Sequence, residues 1–264
     1  LGIEYESRIV HTRFGKTHII ISGPKDALPL ISLHGGNSIT PYELKGILPL
    51  LKKFRVFAID TIGHPGRSSE TRISSEDNSY GKWLVDVLDE LELNQGAFLC
   101  GSYSASFVLR LATIAPERIS KTFMYAPSGF VNGSSRDMIF KLLIPWLKYR
   151  LRPSREQLKK TLKSFIYEFD DGILDLVEAN FKHVKIITGM PRPVTKAELK
   201  DYTAPTSIIA AKQDILFPGE LVVRRAKEII PNLVTAECIE GPHTPTNQMR
   251  EYINEKAIIF FSNN

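Results

Sequence analysis

Cysteine is nearly missing from this chain: its 264 residues hold two, Cys100 and Cys238. Two cannot make a disulfide framework, and His11, His18 and His183 stand at no metal-ligand spacing to complete a zinc set. A reducing, cytoplasmic setting is the simpler expectation, and no cofactor or metal is expected. Long apolar runs are missing too. Segments such as 47–51 and 257–261 fall well short of the ~18 residues of a membrane span, so stable membrane insertion is not expected. No signal peptide is legible, and the start at Leu1 leaves room for residues removed upstream. Neither sign of charge dominates. Lys and Arg total 34 against 29 Asp and Glu, and the net +5 is too small to argue for nucleic acid. The loop at residues 60–68 has glycines but lacks the G-x-x-x-x-G-K-[ST] phosphate cradle.

What is present is globular: 43% of the residues are hydrophobic and 24% charged. Short β-branched runs alternate with longer amphipathic stretches. Residues 7–12 and 17–22 flank Phe14-Gly15 and read as a hairpin. Strands are expected at 28–33, 55–59, 96–100, 122–125, 206–211 and 233–239. Helices are expected at 80–93, 104–115, 221–230 and 249–261, where apolar residues recur at helical spacing. Such alternation implies parallel crossovers and a mostly parallel, doubly wound α/β sheet covered on both faces.

About 80 residues between the strands at 125 and 206 break the alternation, and a structureless loop of that length is implausible. Helical patterns at 138–151, 155–169 and 172–184 indicate an inserted helical unit. Within 141–163 eight Lys or Arg face one acid, Glu156, a local +7 in a chain of +5. A solvated helix face is the plainest reading of that charge; an anionic substrate group or a membrane surface are the others.

Chemistry in a doubly wound sheet gathers outside the carboxyl ends of the strands. The strand exits read His34-Gly35-Gly36-Asn37, Asp60, Cys100-Gly101-Ser102-Tyr103-Ser104, Lys212-Gln213-Asp214 and Glu240-Gly241-Pro242-His243. Serine, aspartate and histidine leave successive strands in that chain order, as in a hydrolase triad. A serine hydroxyl is a poor nucleophile until a base takes its proton. Histidine can do so near neutral pH, and a buried carboxylate fixes the imidazole tautomer. The candidate catalytic residues are therefore Ser102, Asp214 and His243. The competing readings are a helix N-cap for Asp214, since Pro218 and Gly219 follow, and an ordinary core or surface histidine for His243.

On these residues the chain resembles the α/β-hydrolase superfamily over essentially its full length. Within it, the chain is similar to bacterial carboxylesterase-like serine hydrolases with a helical cap. Residues 60–68 carry D-x-x-G-x-x-G-x-S, residues 115–119 read A-P-E-R-I, and Gly241-Pro242-His243 precedes the last helix. The resemblance implies a core of 1–129 and 201–264 with a cap of 130–200. It also implies hydrolysis of a small carboxylic ester, or a related acyl substrate, through an acyl-enzyme on Ser102. The small-molecule acyl substrate is the expected partner, and the chain is expected as monomer or homodimer. The oxyanion donors implied are the N–H groups of Tyr103 and Gly36. In the cap, Phe140 and Trp146, with Leu143 and Leu147, are expected to line or cover the substrate pocket.

The elbow departs from the family pattern G-x-S-x-G, reading Cys100-Gly101-Ser102-Tyr103-Ser104. Two serines compete. In the family the nucleophile stands about fourteen residues before the Pro of P-E-R, which favours Ser102 over Ser104. Cys100 and Ser104 stand where glycine is usual, so strain there is expected to slow the reaction, and replacing both by glycine to speed it. The same departure leaves a second reading open, a ligand-binding or signalling protein on a hydrolase scaffold with slow or no turnover.

Overall fold

The strand exits named above lie side by side because the strands share one sheet. The computed structural model describes residues 2–187 and 189–263. Its strands are β1 (Glu6–Thr12), β2 (Gly15–Ser22), β3 (Pro29–Leu33), β4 (Arg55–Ile59), β5 (Gly96–Gly101), β6 (Ile119–Tyr125), β7 (Thr206–Ala211) and β8 (Leu233–Ile239). Across the sheet the order is β1-β2-β4-β3-β5-β6-β7-β8. β2 pairs antiparallel with β1 and β4, and the remaining pairings are parallel. The chain winds outward one way from β3 to β4, then crosses to β5 on the other side. That reversal opens a crevice at the exits of β3 and β5, the place where doubly wound sheets hold ligands.

The helices are α1 (Thr40–Gly46), α2 (Leu48–Leu51), α3 (Ser79–Glu90), α4 (Ala105–Ile114), α5 (Ser135–Met138), α6 (Ile144–Leu151), α7 (Arg155–Leu162), α8 (Asp171–His183), α9 (Gly219–Ile229) and α10 (Asn247–Ser262). Both sheet faces are covered, so the parallel strands are apolar on both sides. Along β5, Phe98 and Cys100 enter the core that holds α3, α4 and α9. Leu99 enters the opposite core with α1, α2 and α10. Trp83 is fully buried, and its indole N–H donates to Thr17 Oγ1 at 2.9 Å, tying α3 to β2.

Two departures from the sequence expectation have physical causes. Helices α1 and α2 lie where no helix is expected, and they contain Pro41 and Pro49. Each stands in a helix first turn, where the missing N–H is no loss. The helix expected at 155–169 ends at Leu162. Phe165, Ile166 and Phe169 still bury themselves in the insertion's own cluster with Tyr149, Leu158 and Leu174. Their spacing reports burial rather than helix.

That third cluster spans α6 to α8. The chain after α8 rejoins the principal core through Val194, Leu199 and Tyr202. Arg110 of α4, almost fully buried, secures the return: it donates to Glu198 Oε1 at 2.9 Å and to the Arg192 carbonyl. Burial alone would raise the Glu198 pKa, but Arg192, Thr195 and Arg110 bring it down to about 2. The carboxylate's contribution to stability is thus present above the usual carboxylate range and fades as pH falls toward 2. Glu198→Ala strands a buried guanidinium and should cost about 3–5 kcal/mol in urea unfolding at pH 7. Most of that difference should vanish near pH 2.

Candidate active site

The site is framed by the loop after β4. Asp60 is buried and its carboxylate gathers four donors: the Thr40 N–H and hydroxyl, the Arg67 N–H at 2.9 Å and His18 Nδ1 at 2.8 Å. Burial alone would raise its pKa, but these bonds hold it below the usual range. Ser68 closes the loop by donating to the Asp60 carbonyl at 2.6 Å. Gly63 and Gly66 sit at φ +74° and +142°, backbone that side chains rarely adopt. A Cβ on Gly66 would stand 2.7 Å from the Asp60 carboxyl carbon. The D-x-x-G-x-x-G-x-S pattern is thus a self-closing brace for the β3–β4 end of the sheet.

Ser102 leaves β5 at φ +54°, left-handed backbone uncommon for a non-glycine residue. A short 3₁₀ turn, Ser102–Ser104, then leads into α4. The turn is bonded on every side. Ser104 is fully buried, and its hydroxyl reaches the carbonyls of Leu33 at 3.0 Å and Gly101 at 2.9 Å. Ser128, after β6, donates its N–H to the Ser102 carbonyl and its hydroxyl to the Tyr103 carbonyl, both at 3.0 Å. Cys100 is buried in the principal core. Its backbone and that of Ser104, φ −71°, avoid the left-handed region. The left-handed backbone of the elbow therefore falls on Ser102 itself and not on these two positions.

Asp214 and His243 stand beyond β7 and β8. His243 Nδ1 lies 2.7 Å from Asp214 Oδ2, and its Nε2 lies 2.8 Å from Ser102 Oγ. The Asp214 side chain is fully buried, and Oδ1 accepts from the N–H groups of Leu216 at 2.7 Å and Phe217 at 3.0 Å. With Nδ1–H donated to the carboxylate, Nε2 is free to accept the serine proton. Asp214 thus closes a turn ahead of α9 and bonds His243, but it is not that helix's N-cap, which is Pro218 with no side-chain bond, so the helix-cap reading does not hold. Tyr125 steadies the histidine loop by donating to the Pro242 carbonyl at 3.1 Å.

Gly35 and Gly36 approach this turn closely. A Cβ on Gly35 would lie 3.3 Å from Ser102 Cβ, and one on Gly36 3.0 Å from Tyr103 Cβ. Two buried histidines hold their loop. His34 donates Nδ1–H to the Gly35 carbonyl at 2.8 Å and accepts the Thr61 N–H at Nε2. His64 accepts the Asn37 N–H at Nδ1 and faces the Tyr80 hydroxyl with Nε2. Burial lowers the pKa of both, His64 to about 3, so neither carries charge near neutral pH.

Asn37 stands in a strand exit without an expected role, yet it links this loop to the insertion. At φ +55°, it exchanges two hydrogen bonds with the Ile187 main chain, each 2.9 Å, and its carbonyl accepts from Asn180 of α8 at 2.6 Å. The available signal was an asparagine directly after Gly-Gly, a residue that tolerates left-handed backbone.

The insertion's expected pocket residues stand elsewhere. Phe140 is exposed, and Trp146 packs edge-on to Phe181 beneath Arg150. Leu143 and Leu147 also face solvent. None of the four lines either of two cavities flanking the triad. One, ≈250 Å³, is walled by Arg72–Glu76, Tyr80, Tyr103, Ile187 and Gly189. The other, ≈160 Å³, lies between α1, the chain before α8 and the start of α10, with Tyr42, Glu168, Thr244 and Arg250 in its wall. Among the described residues no group of three or more His, Cys, Asp or Glu could hold a metal ion.

No protein-family model matches the chain. It is 27% identical to carboxylesterase YbfK of Bacillus subtilis over 98% of this chain and 88% of that protein. The crystal structure of that enzyme, carboxylesterase CesB, superimposes with TM-score 0.81 at 25% identity, covering 100% of this chain and 93% of that one. Naproxen esterase from the same organism superimposes with TM-score 0.83 at 23% identity, covering 99% of this chain and 93% of that one.

Two tests follow from the geometry around the triad. Asn37→Gly keeps the backbone conformation and removes the amide bonds to Ile187. It should leave the fold intact while limited proteolysis cuts near residues 184–190 several-fold faster. Glu43 of α1 is partly buried, and burial raises its pKa to about 7 against a smaller opposing effect of Arg250. The folded state then binds this proton more tightly than the unfolded chain. Stability is therefore lost as pH rises from about 4.5 through 7. Glu43→Gln should stabilise by roughly 2 kcal/mol at pH 8, after allowance for solvent screening, and by almost nothing at pH 4. Urea unfolding at the two pH values measures the difference.

Proposed function

This chain is a bacterial carboxylesterase-like α/β hydrolase, and from that premise we propose that it cleaves small carboxylic esters through an acyl-enzyme on Ser102. The observation that carries the reading is the unbroken hydrogen-bonded line Ser102–His243–Asp214 at 2.8 and 2.7 Å. Ser102 Oγ attacks the ester carbonyl carbon while His243 Nε2 takes its proton. The carbonyl oxygen becomes an oxyanion facing the N–H groups of Tyr103 and Gly36. Collapse breaks the C–O bond, and His243 returns the proton to the departing alcohol. Water then attacks the acyl-serine with His243 again as base, and the acid leaves.

Three features favour this chemistry over mere binding. The left-handed Ser102 lifts its hydroxyl off the sheet end. The buried Asp214 carboxylate already has both oxygens bonded, so it orients the imidazole without taking its proton. Gly35 and Gly36 leave room for an oxyanion against Tyr103. Cys100 and Ser104, which gave the non-catalytic reading its support, fit the turn without left-handed backbone. We assign substrate choice to the ≈250 Å³ cavity beside Tyr103, whose size suits a short acyl or alcohol group. The cap of 130–200 acts through Ile187 and Gly189 in that wall, rather than through Phe140 and Trp146.

A serine-directed fluorophosphonate should label Ser102, and peptide mapping that finds Ser104 instead overturns the assignment. Asp214→Asn and His243→Ala should each lower kcat on a p-nitrophenyl ester by roughly 10⁴-fold with the fold kept, and the double variant should be little worse. Wild-type kcat in either removes that residue from the mechanism. Ser104→Ala removes the bond to Leu33 and should slow turnover about fivefold by loosening the oxyanion donors. That is the opposite of the gain expected when the elbow is read as strained at Ser104.

A further inference from the structure

The solvent side of a surface helix is normally polar. The continuous helical run 135–151, made of α5, a π-helical turn at 139–143 and α6, violates this. Ile139, Leu143, Leu147 and Leu151 recur every fourth residue and are 45%, 45%, 45% and 82% exposed, with Phe140 beside them at 62%. Spacing of four places them in one ridge, roughly 18 Å long at 1.5 Å per residue. The opposite side supplies the buried Tyr149 to the insertion's own cluster. Through Pro145 and Tyr149 the run packs on α7 and α8, and its outer side is bare.

Some of the cations around this ridge are already paired and others are not. Lys141 pairs with Asp137, and Arg155 with Asp171 and Asp175. Arg136, Lys148, Arg150 and Arg152 are exposed, and none enters an ion pair among the described residues, though Arg150 lies over the Trp146 ring at 5.5 Å. We propose that this outer face of the insertion docks peripherally on an anionic lipid surface, the leucine ridge entering the headgroup–acyl boundary and the four cations meeting lipid phosphates and carboxylates. The pattern of apolar ridge with basic flanks on a helix lying flat is the physical requirement of such docking. Charge complementarity favours this occupant over the alternatives. A second copy on the same face would bring the same cations against each other. A nucleic acid would use the cations but leave the leucines in water.

Flotation of the full chain with two vesicle types tests the proposal, one of phosphatidylcholine alone and one with about a quarter phosphatidylserine. The chain should float with the anionic vesicles and not with the neutral ones. Ile139→Gln with Leu151→Gln, and separately Lys148→Gln with Arg152→Gln, should each cut the bound fraction about fivefold. Circular dichroism and the melting temperature should stay at wild-type values. Raising the salt to about 0.5 M should weaken binding of the wild type. No binding to anionic vesicles overturns the proposal, as does binding indifferent to the ridge substitutions. So does sedimentation as a dimer that only Ile139→Gln with Leu151→Gln dissociates, which identifies a second copy as the occupant. Retention of single- or double-stranded nucleic acid in place of vesicles has the same effect. Because flotation reads no turnover, failure here leaves the esterase reading untouched, and failure of the labelling at Ser102 leaves docking untouched.

Discussion

The role proposed for Ser102 depends on one residue at the end of β5 being held in left-handed backbone, a conformation that costs on the order of 1–3 kcal/mol where other structure must enforce it. Much of the surrounding architecture does the enforcing. The reversal of winding at β3 brings the Leu33 carbonyl within reach of Ser104, so the strand before the crevice ties down the turn after it. From the other side the loop after β6 puts Ser128 on the carbonyls of both Ser102 and Tyr103. Helix α4 then continues the turn and carries the strain into a packed core. The Asp60 loop, two strands away, works at one remove by fixing the start of α1 through Thr40, and so the exit of β3.

Much of this was legible in the sequence because strand exits are marked by where apolar runs stop. The exits of β3, β5, β7 and β8 each fall within a residue of the expected place, and Ser102, Asp214 and His243 meet where those exits converge. Legibility ended where side-chain direction mattered. Residues 139–151 are apolar on two sides, so periodicity could not say which side turns to the site, and Phe140 and Leu147 face solvent. Ser104 and Ser128 were unreadable for another reason. Their hydroxyls bond main-chain carbonyls that are distant in sequence or exposed only by the turn itself. Proline at α1 and α2 opens each helix rather than interrupting it.

The histidines show how little residue type says by itself. His34, His64 and His243 all stand within the same crevice. The first two have their ring nitrogens committed to main-chain or tyrosine partners within a buried aromatic cluster, and burial keeps them neutral. His243 alone combines a buried carboxylate on one nitrogen with a hydroxyl on the other. A ring with a carboxylate behind it can accept a proton and remain stable as imidazolium, whereas a ring whose lone pair already accepts a main-chain N–H would have to break that bond first.

The insertion is fastened to the core on both sides of Ser102, and this couples access to chemistry. On one side Asn37 and Asn180 join it to the Gly35–Gly36 loop. On the other, the Thr244 N–H donates to the Phe165 carbonyl at 2.9 Å and the Asn247 N–H to Glu168 at 2.7 Å, directly after His243. Both cavities lie along these seams. On the function proposed, a substrate too large for the space beside Tyr103 must force a seam open, and opening it disturbs either the Gly35–Gly36 loop or the histidine loop. Selection by size then acts on kcat as much as on KM, since a poorly fitting ester loosens the groups that stabilise its own transition state. The exposed ridge side chains of 139–151 line neither of these cavities, so that face can meet a surface without entering them.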